Sequence, residues 1–143
     1  MIVVILFVFL TLQAVALLHL GWAFGMSWPA ASRDALGAMV VGVPEGTPMP
    51  SRGLTILVAM GISAAGWLAP WGAGWFSLGG LDGLRLWALL GAVAIFALRG
   101  GLTYMPFGPL QASVEPFRSL DMRFFAPLCL VLALGYLAIL LGR

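Results

Sequence analysis

Apolar residues run almost without a break from Ile2 to Leu18, interrupted only by Thr11 and Gln13, and continue through His19 to Phe24. About 20 such residues cross a hydrocarbon core of about 30 Å, so the run predicts a membrane-spanning helix over residues 2–24. A cleaved signal would open with positive charge and carry an apolar stretch of about 7 to 15 residues. This start is uncharged and its run is longer, so a retained helix is expected, with Pro29-Ala30-Ala31-Ser32 leaving cleavage open as the alternative. Three further apolar runs predict spans over residues 54–71, 81–99 and 124–141. Trp67, Trp71 and Trp75 fall where the second span meets the headgroup layer, the boundary that indoles favour.

The connections are unequal. Residues 25–53 carry Arg33, Asp34, Glu45 and Arg52 around an apolar centre, Ala35 to Val43, which suits a segment in the interface or tucked against the bundle. Gly42-Val43-Pro44-Glu45-Gly46 supplies turn chemistry to end it. Residues 100–123 form the second long loop, with Tyr104, Glu115, Arg118, Asp121 and Arg123, while the link between spans two and three is short. Pro127 is placed in the first turn of span four, where a missing backbone donor is tolerated.

Span three is the awkward one. Its uncharged stretch from Leu86 to Leu98 is 13 residues, about 20 Å at 1.5 Å per residue. A charge must therefore enter the membrane. Either Asp82 and Arg85 dip in at one end, with Arg85 snorkelling, or Arg99 sits below the interface at the other.

Composition agrees with the pattern: 62% of residues are hydrophobic, 8% are charged, and the mean hydropathy is +1.09. An ordinary soluble chain is roughly 25% charged. The expected fold is all-α, an integral membrane four-helix bundle in a single domain. Small residues four apart, such as Gly61 and Ala65 or Ala88 and Ala92, suit close helix approach, but a chain with 19 glycines produces such spacings by chance.

Seven arginines and five acids leave a charge of +2, without lysine and without a polybasic run, so no nucleic-acid partner is expected. The single Cys129 excludes an intramolecular disulfide, and one His with one Cys cannot furnish the usual zinc set. Bis-histidine haem is excluded within one chain for the same reason, and purified protein is expected to carry neither haem nor stoichiometric zinc. Phosphate-loop, His-Glu-x-x-His and Gly-x-Ser-x-Gly motifs are absent. The spans hold no central carboxylate of the kind a proton-driven exporter uses.

An even number of spans gathers the ends of spans one and three with the starts of spans two and four. Arg33, Asp34, Glu45, Arg52, Arg99, Glu115, Arg118, Asp121 and Arg123 then share one polar end, and Asp82, Arg85 and Arg143 the plain one. His19 lies one to two turns inside the polar end, with Trp22 on the same helix face. It is read either as a neutral imidazole bonded to a neighbouring helix or as an intramembrane site residue. Arg99 cannot deprotonate and needs a partner if buried; Asp121 is the first choice and Glu115 the second, with Asp121 also a candidate N-cap of span four. Cys129 is expected to act as a small apolar group.

The segments Leu18-His19-Leu20-Gly21-Trp22-Ala23-Phe24-Gly25, Val43-Pro44, Phe96-Ala97-Leu98-Arg99-Gly100, Phe117-Arg118-Ser119-Leu120-Asp121 and Pro127-Leu128-Cys129-Leu130 resemble a family of small bacterial four-helix membrane proteins known only as a domain of unknown function. The resemblance covers nearly the whole chain, and its last block is the most specific. It implies that His19, Trp22, Arg99, Asp121 and Cys129 occupy signature positions, and it implies no activity. Where that family often carries an acid shortly after the arginine, this chain reads Gly101-Leu102-Thr103, which gives weight to Asp121 as a distant partner. Basic N-termini in the family imply the opposite orientation to the one the arginine count gives, which puts the polar end in the cytoplasm.

The expected protein is thus a multi-pass protein of a bacterial inner membrane, set in the lipid bilayer. Its candidate polar site comprises His19, Trp22, Arg99, Asp121 and Arg123, and it binds an amphiphilic ligand or a membrane-protein partner. The alternative is a small membrane enzyme acting on a lipid-soluble substrate, with His19 as acid/base and Arg99 as anion clamp. Neither a catalytic residue nor a cofactor is assigned.

Overall fold

A computed structural model describes residues 1–44, 46–106 and 113–143, and among them every regular element is helical. Helix α1 (Ile2–Ala23) is followed by a short α2 (Arg33–Val40) and by α3 (Arg52–Gly72). A 3-10 turn (Gly79–Leu84) leads into α4 (Arg85–Leu102), and α5 (Phe117–Leu141) closes the chain. Four of these stretches, Ile2–Ala23, Arg52–Gly72, Gly79–Leu102 and Phe117–Leu141, are long and apolar enough to cross a membrane. The 22 residues of α1 rise about 33 Å, enough for the hydrocarbon core.

The helices pack as two principal pairs, α1 with α3 and α4 with α5, joined along a common core. Ile5, Val8 and Leu12 of α1 meet Ala69, Leu89, Ala92, Leu132, Tyr136 and Ile139 there. Lipid tails are as apolar as these side chains, so burial drives association weakly and polar contacts between helices count for more. Two such contacts lie deep in the bundle. Gln13 Nε2 donates to the Ser63 carbonyl at 3.1 Å while Ser63 Oγ donates to Gln13 Oε1 at 2.8 Å, clamping α1 to α3. The Tyr136 hydroxyl donates to the Ala65 carbonyl at 2.5 Å, tying α5 to α3, and its ring stacks on Phe96. The outward faces are as apolar as the core: Leu10, Leu57, Ile95 and Leu134, one from each spanning helix, are between 59% and 67% exposed. Such a surface suits a lipid environment.

The structure corrects the sequence reading in several places. The apolar centre of the first loop, tucked against the bundle as expected, is a helix that the four-helix count left out, so there are five helices among the described residues. α2 buries Leu36, Gly37 and Ala38, and its Ser32 N-cap accepts from the Ala35 N–H. Span two begins two residues earlier than expected, at Arg52, because Ser51 caps it by accepting from the Leu54 N–H. Span three gains length at both ends, through the 3-10 turn and a final turn reaching Leu102.

The largest difference is in α5, which starts at Phe117 rather than 124. Asp121 is therefore inside the helix and is not its N-cap, while Pro127 falls, as expected, in the first turn of the α-helical stretch Ala126–Leu141, which here continues from earlier helical turns. A proline there clashes with the carbonyl four residues back in an α-helix. The chain avoids this with a π turn over Asp121–Phe125, in which the Ala126 N–H bonds the Asp121 carbonyl five residues back. In that register Pro127 would next serve the Met122 carbonyl, but it has no proton to give. The Tyr104 hydroxyl donates to that carbonyl instead, at 2.8 Å.

Candidate functional site

Gly100 brings α4 against α5 at the π turn. A methyl group added there would stand 2.8 Å from the Ala126 carbonyl oxygen, closer than real contacts allow. This approach lets the adjacent Arg99 reach Asp121. Arg99 Nη2 lies 2.5 Å from Asp121 Oδ1 and Nη1 lies 3.4 Å from Oδ2, a two-pronged pair. Thr103 completes the group: its hydroxyl donates to Asp121 Oδ2 at 2.7 Å and accepts from Arg99 Nη1 at 3.1 Å. The pair expected from the sequence is present, and it is lopsided. The Asp121 side chain is 1% exposed and that of Arg99 38%. The carboxylate is enclosed, while the guanidinium keeps an open flank.

Glu115, the second-choice partner, is used elsewhere: its Oε2 accepts from the Ser119 N–H in the first turn of α5. Arg123 is exposed and pairs with no described residue. Glu45, assigned by the sequence to this end, lies outside the described residues, as do residues 107–112 of the second loop.

His19 and Trp22 form a separate group at the end of α1. The His19 ring lies 4.7 Å from that of Trp22, and Nδ1 is 2.8 Å from the Val15 carbonyl. A carbonyl only accepts, so Nδ1 carries the proton. The bond is therefore to its own helix, not to a neighbouring one. The Trp22 indole donates to the Trp28 carbonyl at 2.8 Å, and Arg33 Nη1 donates to the Trp22 carbonyl at 3.2 Å. The contacts of His19 and those of Arg99 involve different residues, His19 with Trp22 and Arg99 with Asp121 and Thr103.

The opposite end is less plain than the sequence implies. Asp82 Oδ1 accepts from the Trp71 indole at 2.9 Å, the Leu78 N–H at 3.0 Å and Arg85 Nη2 at 2.9 Å, while Oδ2 accepts from the Ser77 hydroxyl. Arg85 Nη2 also donates to the Phe76 carbonyl at 2.8 Å. Trp71 is thus buried and bonded, unlike the exposed Trp67 and Trp75 that flank it in the expected aromatic belt. Beside this knot opens a recess of about 520 Å³ lined by Ala64, Trp67, Leu68, Trp71, Phe76 and Leu78. It offers apolar contact without converging polar groups, and so lacks the orienting chemistry of a specific pocket. The i,i+3 spacing of Asp82 and Arg85 was the available signal for the knot. Among the described residues no group of three or more His, Cys, Asp or Glu could hold a metal ion.

Four helical stretches long and apolar enough to cross a membrane, with an enclosed ion pair at one end, define an integral membrane helical bundle. Within that class, the chain belongs to the family DUF3995, proteins of unknown function, whose model matches residues 12–136. No curated protein and no solved structure matches it.

Proposed function

We propose that this protein is a non-enzymatic binding protein of a bacterial inner membrane, engaging an amphiphilic ligand or a membrane-protein partner through the end that carries Arg99 and Asp121. The observation that carries this reading is that His19 and Arg99 share no contact partner among the described residues. An enzyme using His19 as acid/base and Arg99 as anion clamp needs both on one substrate, within hydrogen-bond reach of the reacting atoms. Here His19 is held by Val15 and Trp22, and Arg99 by Asp121 and Thr103. The half-open guanidinium suits recognition of an acceptor arriving from the headgroup layer, and the enclosed carboxylate holds it in place.

Native mass spectrometry of protein extracted into a mild detergent tests this. An amphiphile of defined mass, or a second membrane protein, should accompany the wild type and be lost from a folded Arg99→Leu/Asp121→Leu variant. Bare protein from every gentle extraction would overturn the proposal, as would turnover of a lipid-soluble substrate that disappears in a folded His19→Ala variant.

A further inference from the structure

Two arginines converge on the last residues of α1. Arg52, the first residue of α3, holds its guanidinium carbon 4.3 Å from the centre of the Phe24 ring. Arg33, the first residue of α2, donates to the Trp22 carbonyl one turn away. Both side chains are exposed, and neither meets a carboxylate among the described residues. Asp34, next to Arg33, is exposed in the first turn of α2 and pairs with neither. Beside them Phe24 and Trp28 are 63% and 62% exposed, and the Trp28 carbonyl is pinned by the Trp22 indole. These residues sit at the end of the first apolar span and the start of the second. A guanidinium over the exposed Phe24 ring, with a second bound to the neighbouring Trp22 carbonyl and neither facing a carboxylate among the described residues, complements a molecule with an anionic head and an apolar tail.

We infer that Arg33 and Arg52 form a headgroup site for an anionic phospholipid, with its phosphate on the two guanidinium groups and its acyl region against Phe24 and Trp28. The inference rests on the binding proposal only in choosing the same end of the bundle, and it adds a ligand class at residues outside the Arg99 pair.

The test reconstitutes the full chain in nanodiscs of phosphatidylcholine with either phosphatidylglycerol or further phosphatidylcholine of matched chains, and counts lipids retained by native mass spectrometry. Wild type should retain phosphatidylglycerol preferentially. Arg33→Gln/Arg52→Gln should lower its affinity about thirtyfold, at about 1 kcal/mol per arginine near the surface and about 1.4 kcal/mol per tenfold. Arg33→Lys/Arg52→Lys should keep part of the preference, and Arg123→Gln, at the same end but with no such contacts, should keep all of it. Inorganic phosphate at millimolar concentration should not displace the lipid. Equal retention of the two lipids by wild type overturns the inference whether or not any variant folds. So does a preference that survives in the double glutamine variant, that falls equally in Arg123→Gln, or that is abolished by free phosphate. None of these results would remove a ligand or partner found at the Arg99 end, so the two proposals fail separately.

Discussion

Removing either partner of the Arg99–Asp121 pair strands a different charge. Arg99→Leu leaves a carboxylate 1% exposed with, among the described residues, only the Thr103 hydroxyl to serve it, a loss of about 3 to 5 kcal/mol by the usual cost of an orphaned buried charge. Asp121→Leu strands a guanidinium that is already 38% exposed and can extend toward the headgroups, so its cost should be smaller. The double leucine variant should unfold later than Arg99→Leu alone in a mixed-micelle denaturation series. Additive effects, or a larger loss from Asp121→Leu, would contradict the lopsided pair. This pair was legible because crossing parity puts residues 99 and 121 at one end and the chain lacks an acid just after Arg99. The share taken by Thr103 was not, because a hydroxyl leaves no periodic trace. His19 was legible as lying near the end of the first span but its acceptor was not: a ring nitrogen can turn back to the carbonyl four residues earlier, and no spacing between helices reveals that.

At the scale of the helices, the π turn in α5 depends on two residues far apart in sequence. Pro127 withholds the proton that the Met122 carbonyl would take, and the Tyr104 hydroxyl supplies one. Tyr104→Phe should therefore cost about 1 kcal/mol, the net worth of an ordinary hydrogen bond. In a Pro127→Ala background, where the backbone N–H is restored, the same substitution should cost little. A double-mutant cycle on unfolding reads the difference, and equal cost in both backgrounds would show that the hydroxyl does not replace the proline's missing donor. Gly100 sets the distance between α4 and α5 at this turn. Gly100→Ala should destabilise by about 1 to 3 kcal/mol, as overpacking does, and should weaken the coupling between Arg99 and Asp121. A variant as stable and as coupled as wild type would mean the helices can separate without loss. The four spans were legible from apolar runs alone. The early start of α5 was not, because Arg118, Asp121 and Arg123 read as loop when charges are taken to avoid the helix. In the structure Asp121 is paired inside it.

At the scale of the molecule, each end is fastened by an arginine–aspartate pair, Arg99–Asp121 at one and Arg85–Asp82 at the other, with the Gln13–Ser63 clamp and the Tyr136 hydrogen bond between. A bundle without much gain from apolar burial is held by contacts of this kind. The sequence made the first end look polar and the second plain because it could count charges but not the bonds that Trp71, Ser77 and Leu78 give to Asp82. The account's central claim is that four crossings gather Arg33, Arg52, Arg99 and Asp121 at one face of the membrane, away from the Asp82 knot. Sided labelling tests it most directly. Single cysteines would be introduced into a Cys129→Ala background at Ala31, Ser119 and Gly80, all exposed positions, and probed in oriented vesicles with a membrane-impermeant maleimide. Ala31→Cys and Ser119→Cys should react from one side and Gly80→Cys from the other. Labelling of Ala31→Cys and Ser119→Cys from opposite sides, or of all three from the same side, would contradict the four-span arrangement and the shared binding end with it.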